Sequence, residues 1–141
     1  MRVILSWILV LAVTLPVAAT AQSFTPYPGS KPDQAAADEA MKRAGAGKRV
    51  GVYLTNDPFE KVVTFYRALY KETQGAGPSR LPNGQKVQWA FFVLDGAKDL
   101  SASKSWMKIQ RPFIGDVVMQ GITPQYTDVR DVTVIETVEE K

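Results

Sequence analysis

The side chains that most often carry out catalysis or bind metals are missing from this chain. It contains no histidine and no cysteine. Without histidine it lacks the usual general base, a common metal ligand and the Ser/His and Cys/His nucleophile systems. Without cysteine it lacks thiol chemistry, iron–sulfur clusters and the thiolate ligands of zinc. An enzyme of this sequence would rely on carboxylates, Lys, Tyr, Ser or Thr, and we predict no catalytic residue, no metal site and no cofactor.

One segment matches a nucleophile motif. Ser101 and Lys104 have the S-x-x-K spacing of exported penicillin-interacting enzymes. The partner motifs S-D-N and K-T-G do not occur, and the chain is too short for that fold. We therefore interpret residues 101–104 as a polar hairpin loop. A small hydrolase that uses carboxylates or this Ser–Lys pair remains an alternative function.

Two further segments have structural explanations. Residues 45–48 are similar to the end of a phosphate-binding loop, but that motif requires a glycine and a hydroxyl where the chain has Lys42 and Arg49. We interpret these glycines as a helix stop. Asp95 and Asp99 flank a turn that offers too few oxygen ligands for calcium, so we predict a surface turn.

One candidate binding patch remains, formed by three residues of one segment: Lys104, Trp106 and Lys108. If residues 105–110 form a strand, these side chains lie on the face opposite Met107 and Ile109. An aromatic ring between two lysines is suited to an anionic or sugar-like ligand, or to a protein partner. The alternative is that Trp106 packs under a loop or under the N-terminal segment, with the lysines extending past it.

These side chains must be positioned by helices and strands, and two helices are predicted. An alanine-rich helix spans residues 34–44, with Ser30 as its N-cap and glycines after its end. Before it, residues 22–30 are extended, with two aromatic side chains packed on the domain.

The second helix is predicted to begin with Pro58 as its first residue and Asp57 as its N-cap. Asp57 and Glu60 have the spacing of a capping box around Pro58, which explains this carboxylate pair better than acid/base catalysis does. Apolar residues then recur every three or four positions until the glycine-rich segment at 75–77 closes the helix.

Strands are predicted from alternating or β-branched residues at 49–55, 86–94, 105–110 and 128–138. Residues 86–94 are apolar on both sides, which indicates a central strand. Residues 112–125 are ambiguous, and the charged tail 139–141 is expected to fray. The order of elements predicts one α+β domain over residues 22–141, an antiparallel sheet of three to four strands with two helices packed on it.

The N-terminus has the pattern of a secretory signal peptide. Arg2 is followed by an apolar run and then by Ala19-Thr20-Ala21, which predicts cleavage between Ala21 and Gln22. The apolar run is shorter than the ~20 residues of a membrane-spanning helix, and no cysteine is present to carry a lipid. We expect residues 1–21 to be removed, and the domain to be periplasmic or secreted with no stable membrane anchor.

The charge balance argues against nucleic acid as a partner. The chain has 17 basic and 14 acidic residues, and removal of the leader takes away Arg2 and no acid. The mature domain is thus nearly neutral, and no run of Lys or Arg exceeds two residues. Nucleic-acid-binding domains usually carry a strong basic excess on one face.

Two short motifs resemble those of a group of small exported bacterial proteins. Tyr27-Pro28-Gly29 is followed by a Y-x-T-x-D segment at residues 53–57 and by K-V-V-x-F-Y at residues 61–66. The resemblance covers about 40 residues and implies export, but it implies no activity.

These observations favour a non-catalytic exported domain that binds a small ligand or an envelope protein. The alternatives are the small hydrolase and a purely structural envelope subunit. Because residues 86–94 are apolar on both sides and residues 112–122 supply further apolar side chains, we also expect two copies to associate as a homodimer.

Overall fold

The computed structural model describes residues 23–74 and 80–141. The predicted leader, with its cleavage site at Ala21 and Gln22, lies outside the described residues. The helices are α1 (Gln34–Ala44) and α2 (Phe59–Arg67). The strands are β1 (Lys31–Pro32), β2 (Lys48–Thr55), β3 (Lys71–Thr73), β4 (Gln88–Val93), β5 (Ser105–Arg111), β6 (Phe113–Gln120), β7 (Thr123–Arg130) and β8 (Thr133–Glu140).

The main sheet is antiparallel and has six strands in the order β1-β2-β8-β5-β4-β3. The α+β class is confirmed, but the prediction of three to four strands was too small. The two edge strands account for the difference. They are two and three residues long, and strands this short leave no readable alternation in the sequence.

Helix α2 covers one face of the sheet. Val62, Val63 and Tyr66 of this helix are fully buried against Phe92, Met107, Ile109 and Ile135 of the strands. The N-terminal segment packs along the same layer, where the rings of Phe24 and Tyr53 lie 5.2 Å apart. The predicted packing of this segment and the inward direction of Met107 and Ile109 are confirmed.

Helix α1 covers part of the opposite face. Its buried Ala37 and Ala40 pack on Val50, Val52, Val134 and Val138, the other side of β2 and β8. The helix spans the predicted residues, but Asp33 and not Ser30 is its N-cap, because the Asp33 carboxylate accepts a hydrogen bond from the Ala36 amide at 3.0 Å. Lys31 and Pro32 pair with β2 instead, which leaves Ser30 outside the helix.

The second helix differs from its prediction at both ends. The Asp57 side chain makes no cap hydrogen bond, and Pro58 holds the N-cap position. The helix ends at Arg67 rather than near Gly75, because Lys71–Thr73 leaves it to pair with β4. The predicted glycine stop at 75–77 lies outside the described residues.

Residues 112–125, ambiguous in the sequence, belong to a second, two-stranded sheet formed by β6 and β7. This hairpin is inserted between β5 and β8, which are neighbours in the main sheet. The strand predicted over 128–138 is therefore two strands separated by a turn at 131–132. The tail is also ordered further than predicted, since Glu139 and Glu140 pair with Arg49 and Lys48 of β2.

Candidate functional site

A cavity of about 530 Å³ lies between α1, the sheet and the base of the β6–β7 hairpin. Its walls come from three elements that are far apart in the chain. Helix α1 contributes Ala36, Glu39, Ala40 and Arg43; the sheet contributes Val52, Lys108, Gln110, Val134 and Glu136; the hairpin contributes Phe113, Gly115, Asp116, Asp128 and Arg130. The volume is in the range of small-molecule sites.

An ion pair lies on the floor of this cavity. Lys108 of β5 and Glu136 of β8 are directly opposite each other in the sheet, and Lys108 Nζ is 2.9 Å from Glu136 Oε2. Their side chains are only 23% and 19% exposed. Desolvating two charges costs free energy that their mutual attraction does not always recover. An apolar pair would pack at this position without that cost.

Gln110 is the third polar group of the floor. Its side chain is buried, and Nε2 donates a hydrogen bond to the carbonyl oxygen of Pro112 at 3.0 Å. This bond fixes the amide and leaves its oxygen as an acceptor. The floor thus combines an ammonium group, a carboxylate and an oriented amide beside apolar wall residues.

Arg130 forms one wall and ties the hairpin to α1. Its guanidinium carbon lies 4.0 Å from the centre of the Phe113 ring, within the range of cation–π attraction. Nη2 is 3.4 Å from Asp33 Oδ2 at the start of α1. Nε is buried, and although it lies 3.2 Å from Asp128 Oδ1 it makes no hydrogen bond, so that contact is coulombic.

Two other arginines hold the hairpin base in place. Arg43 of α1 donates a hydrogen bond to the Gly115 carbonyl at 3.2 Å. Arg111, the last residue of β5, donates to the Asp57 carbonyl at 3.1 Å and to the Asp131 carbonyl at 2.9 Å. The hairpin wall of the cavity is therefore fixed to α1 through Arg43 and to the segment before α2 through Arg111.

The three residues of the predicted patch do not converge on one site. Lys108 lies in the cavity floor, whereas Lys104 is exposed with Nζ 3.9 Å from Glu140. Trp106 is half-buried, packs on the core beneath α1, and its ring centre is 6.3 Å from that of Phe91. A binding role for these residues stays a prediction, and only Lys108 lines the cavity.

Two cavity residues, Glu136 and Arg130, were not predicted from the sequence. Glu136 is the only charged residue between Val132 and Val138. A lone charge in an otherwise apolar strand is the signal that could have drawn attention to it. No comparable signal marks Arg130, which lines the cavity because the base of the hairpin lies beside the start of α1.

The other candidate groups have local partners. Ser101 Oγ donates to Asp99 Oδ1 at 2.7 Å. Asp95 accepts hydrogen bonds from the amides of Lys104 and Ser105 and from the Ser103 hydroxyl, as expected of a turn. Partial desolvation raises the pKa of Asp95, but these hydrogen bonds together hold the pKa below its ordinary value.

Within residues 23–74 and 80–141, no group of three or more acidic side chains is arranged to hold a metal ion. No helix in this part of the chain is long and apolar enough to cross a membrane. No protein-family model, curated protein or solved structure matches the chain. Function is therefore inferred from the residues of the cavity themselves.

Proposed function

We propose that this protein is an exported, non-catalytic binding domain of the periplasm or the extracellular medium, and that its ligand enters the cavity beneath α1. The observation that carries this proposal is the half-buried Lys108–Glu136 pair on the floor. The apolar side chains of Val52, Phe113 and Val134 line the cavity beside many charged and polar groups, so a ligand there would be held mainly by hydrogen bonds and charge.

The floor favours a small ligand with an anionic group and several hydroxyls, such as an acidic sugar. Lys108 has three N–H donors, and Glu136 occupies one of them. The remaining donors suit a carboxylate, while the oxygens of Glu136 and Gln110 can accept from hydroxyl groups. A short segment of an envelope protein with the same chemistry would fit the same groups.

Lys108→Met tests this assignment. We expect glucuronate to raise the melting temperature of the wild-type protein more than glucose does. We expect the variant to bind glucuronate about tenfold more weakly or worse, because a hydrogen bond to a charged group contributes roughly 1.5–3 kcal/mol. Thermal shift and isothermal titration calorimetry measure the two effects.

Lys104→Met is the matched control. This substitution removes the same charge from the same segment. Because Lys104 is exposed beside Glu140 and lies away from the cavity, its replacement should leave the affinity for glucuronate unchanged. Equal loss in both variants would indicate a nonspecific charge effect. Alanylalanine serves as the probe for a short protein segment. If none of glucuronate, glucose and alanylalanine raises the melting temperature of the wild type, the cavity proposal is wrong.

The hydrolase and the structural subunit remain alternatives. A hydrolase would use carboxylates or the Ser–Lys pair, and in the second case Ser101 would have to be activated by Lys104, yet these side chains have other partners, Asp99 and Glu140. An activity lost in both Ser101→Ala and Lys104→Met would support it over the binding domain. A purely structural subunit predicts a stable high-order assembly on size-exclusion chromatography.

A further inference from the structure

The outer part of the β6–β7 hairpin exposes large apolar side chains. Val117, Val118 and Met119 are 46%, 48% and 59% exposed, and Ile122 at the turn is 96% exposed. Residues 117–127 contain no charged side chain. Soluble proteins rarely present such a cluster unless it contacts something.

The strand register sorts these residues onto two different faces. Residues opposite each other in an antiparallel pair lie on the same face. Val117 pairs with Tyr126 and Met119 pairs with Pro124, so these four form one face, which we call the apolar hairpin face. Val118 shares the other face with Gln120, Thr123 and Gln125.

A ribbon of only two strands is marginally stable in water unless its apolar face is covered. The base of the hairpin is held by Arg43 and Arg130, but residues 117–123 are all exposed. A partner that covers the apolar face of this outer part would therefore stabilise the hairpin.

The charge pattern favours a second copy of this chain as that partner. Two apolar hairpin faces can meet around a two-fold axis without opposing like charges, because residues 117–127 are uncharged. Asp128, two residues after Tyr126 in β7, is the charged residue that continues this face. Its Oδ1 lies 3.2 Å from Arg130 Nε, so its charge is balanced within the same chain. A lipid surface fits less well, since Asp116 and Asp128 flank the segment where anionic headgroups would require basic residues.

We propose that two molecules associate through their apolar hairpin faces, with Val117 and Met119 packing on the same residues of the other copy. This inference does not depend on the cavity or its ligand. The face consists of only four side chains per copy, so the dimer is expected to be weak and concentration-dependent.

Val117→Lys and Val118→Lys test the proposal as a matched pair. The two valines are adjacent and equally exposed but lie on opposite faces. Analytical ultracentrifugation of the wild type should show a reversible monomer–dimer equilibrium. Val117→Lys should raise the dissociation constant about tenfold or more, because a buried unpaired charge is costly, whereas Val118→Lys should leave it near the wild-type value.

Cysteine cross-linking gives an independent readout if a lysine variant misfolds. The chain has no cysteine of its own. Val117→Cys should form a disulfide-linked dimer on oxidation, and Val118→Cys should form much less.

Three outcomes would overturn the proposal. The wild type could stay monomeric up to ~1 mM, beyond the affinity of weak specific complexes. Both lysine variants could weaken the dimer equally. The monomer could bind phosphatidylcholine–phosphatidylglycerol vesicles through Val117, which would make lipid the occupant of this face.

Discussion

At the scale of single residues, one carboxylate joins two distant segments. The Tyr27 hydroxyl donates a hydrogen bond to Asp57 Oδ2 at 2.7 Å, and Lys61 Nζ lies 3.0 Å from the same oxygen. Asp57 thus fastens the N-terminal segment to the start of α2 instead of capping that helix. The hydrogen bond from Tyr27 and the neighbouring Lys61 ammonium hold the pKa of Asp57 below its ordinary value.

The lowered pKa of Asp57 predicts a specific loss of stability in acid. The unfolded chain binds the proton at its usual pKa of ~3.9, above that of the folded state. The stabilisation is therefore present above pH ~4 and disappears as pH falls through the folded-state pKa. Melting temperatures measured by circular dichroism should fall less steeply in Asp57→Asn than in the wild type as the pH is lowered from about 5 through the folded-state pKa.

Tyr27→Phe provides the companion measurement. It keeps the aromatic ring in the core and removes the stronger of the two partners of Asp57. Its acid dependence should fall between those of the wild type and Asp57→Asn. A wild-type slope in Asp57→Asn would show that this carboxylate does not couple folding to pH.

At the scale of the element, the close approach of β6 and β7 at the base of the hairpin depends on one glycine. A Cβ placed on Gly115 would lie 2.8 Å from Asp128 Cβ, closer than two such atoms can approach. Asp128 itself has a positive φ of 49°. The regular pairing of β6 and β7 is interrupted where Gly115 lies opposite Asp128. At this point Arg43 of α1 donates a hydrogen bond to the Gly115 carbonyl.

Gly115→Ala should destabilise the domain by about 1–3 kcal/mol, as overpacking does elsewhere. Urea unfolding followed by circular dichroism measures the change. The double variant Gly115→Ala/Asp128→Gly removes the clashing side chain and places glycine at the positive φ, so it should recover much of the loss. No recovery would mean that the clash is not what makes Gly115 necessary.

At the scale of the whole molecule, the last strand completes the sheet. β8 lies between β2 and β5, and Ile135 at its centre is fully buried. The chain therefore cannot close its core until residues 133–140 are in place. We expect a domain assembled from such distant partners to unfold as one cooperative unit.

Export itself is tested by the mature N-terminus. We expect mass spectrometry of the protein recovered from a periplasmic or culture-medium fraction to give Gln22 as the first residue, because Ala19 and Ala21 are the small residues that a signal peptidase reads. Ala21→Arg should block this cleavage. An intact chain starting at Met1 in the membrane fraction of the wild type would refute the predicted processing.

The sequence by itself determined the elements whose signals are local. Helix α1 spans the predicted residues 34–44, and the alternation in 49–55 and 105–110 matches β2 and β5 within one residue. The side-chain period and the glycine stop after α1 act within a few positions, so they can be read without knowing the fold. The N-caps were predicted wrongly, because Lys31 and Pro32 pair with β2 and Asp57 binds Tyr27.

Only the tertiary structure decided the features that depend on distant partners. The end of α2 at Arg67, the two short edge strands and the β6–β7 hairpin all follow from pairing between segments that the sequence keeps apart. The cavity has the same origin, because Asp33, Lys108, Arg130 and Glu136 meet only when β8 inserts beside β5. The alternation in its own strand predicts which face of the sheet Lys108 lies on. It does not identify Glu136 as its partner, because a strand's pattern fixes which face a residue takes and not which strand lies opposite.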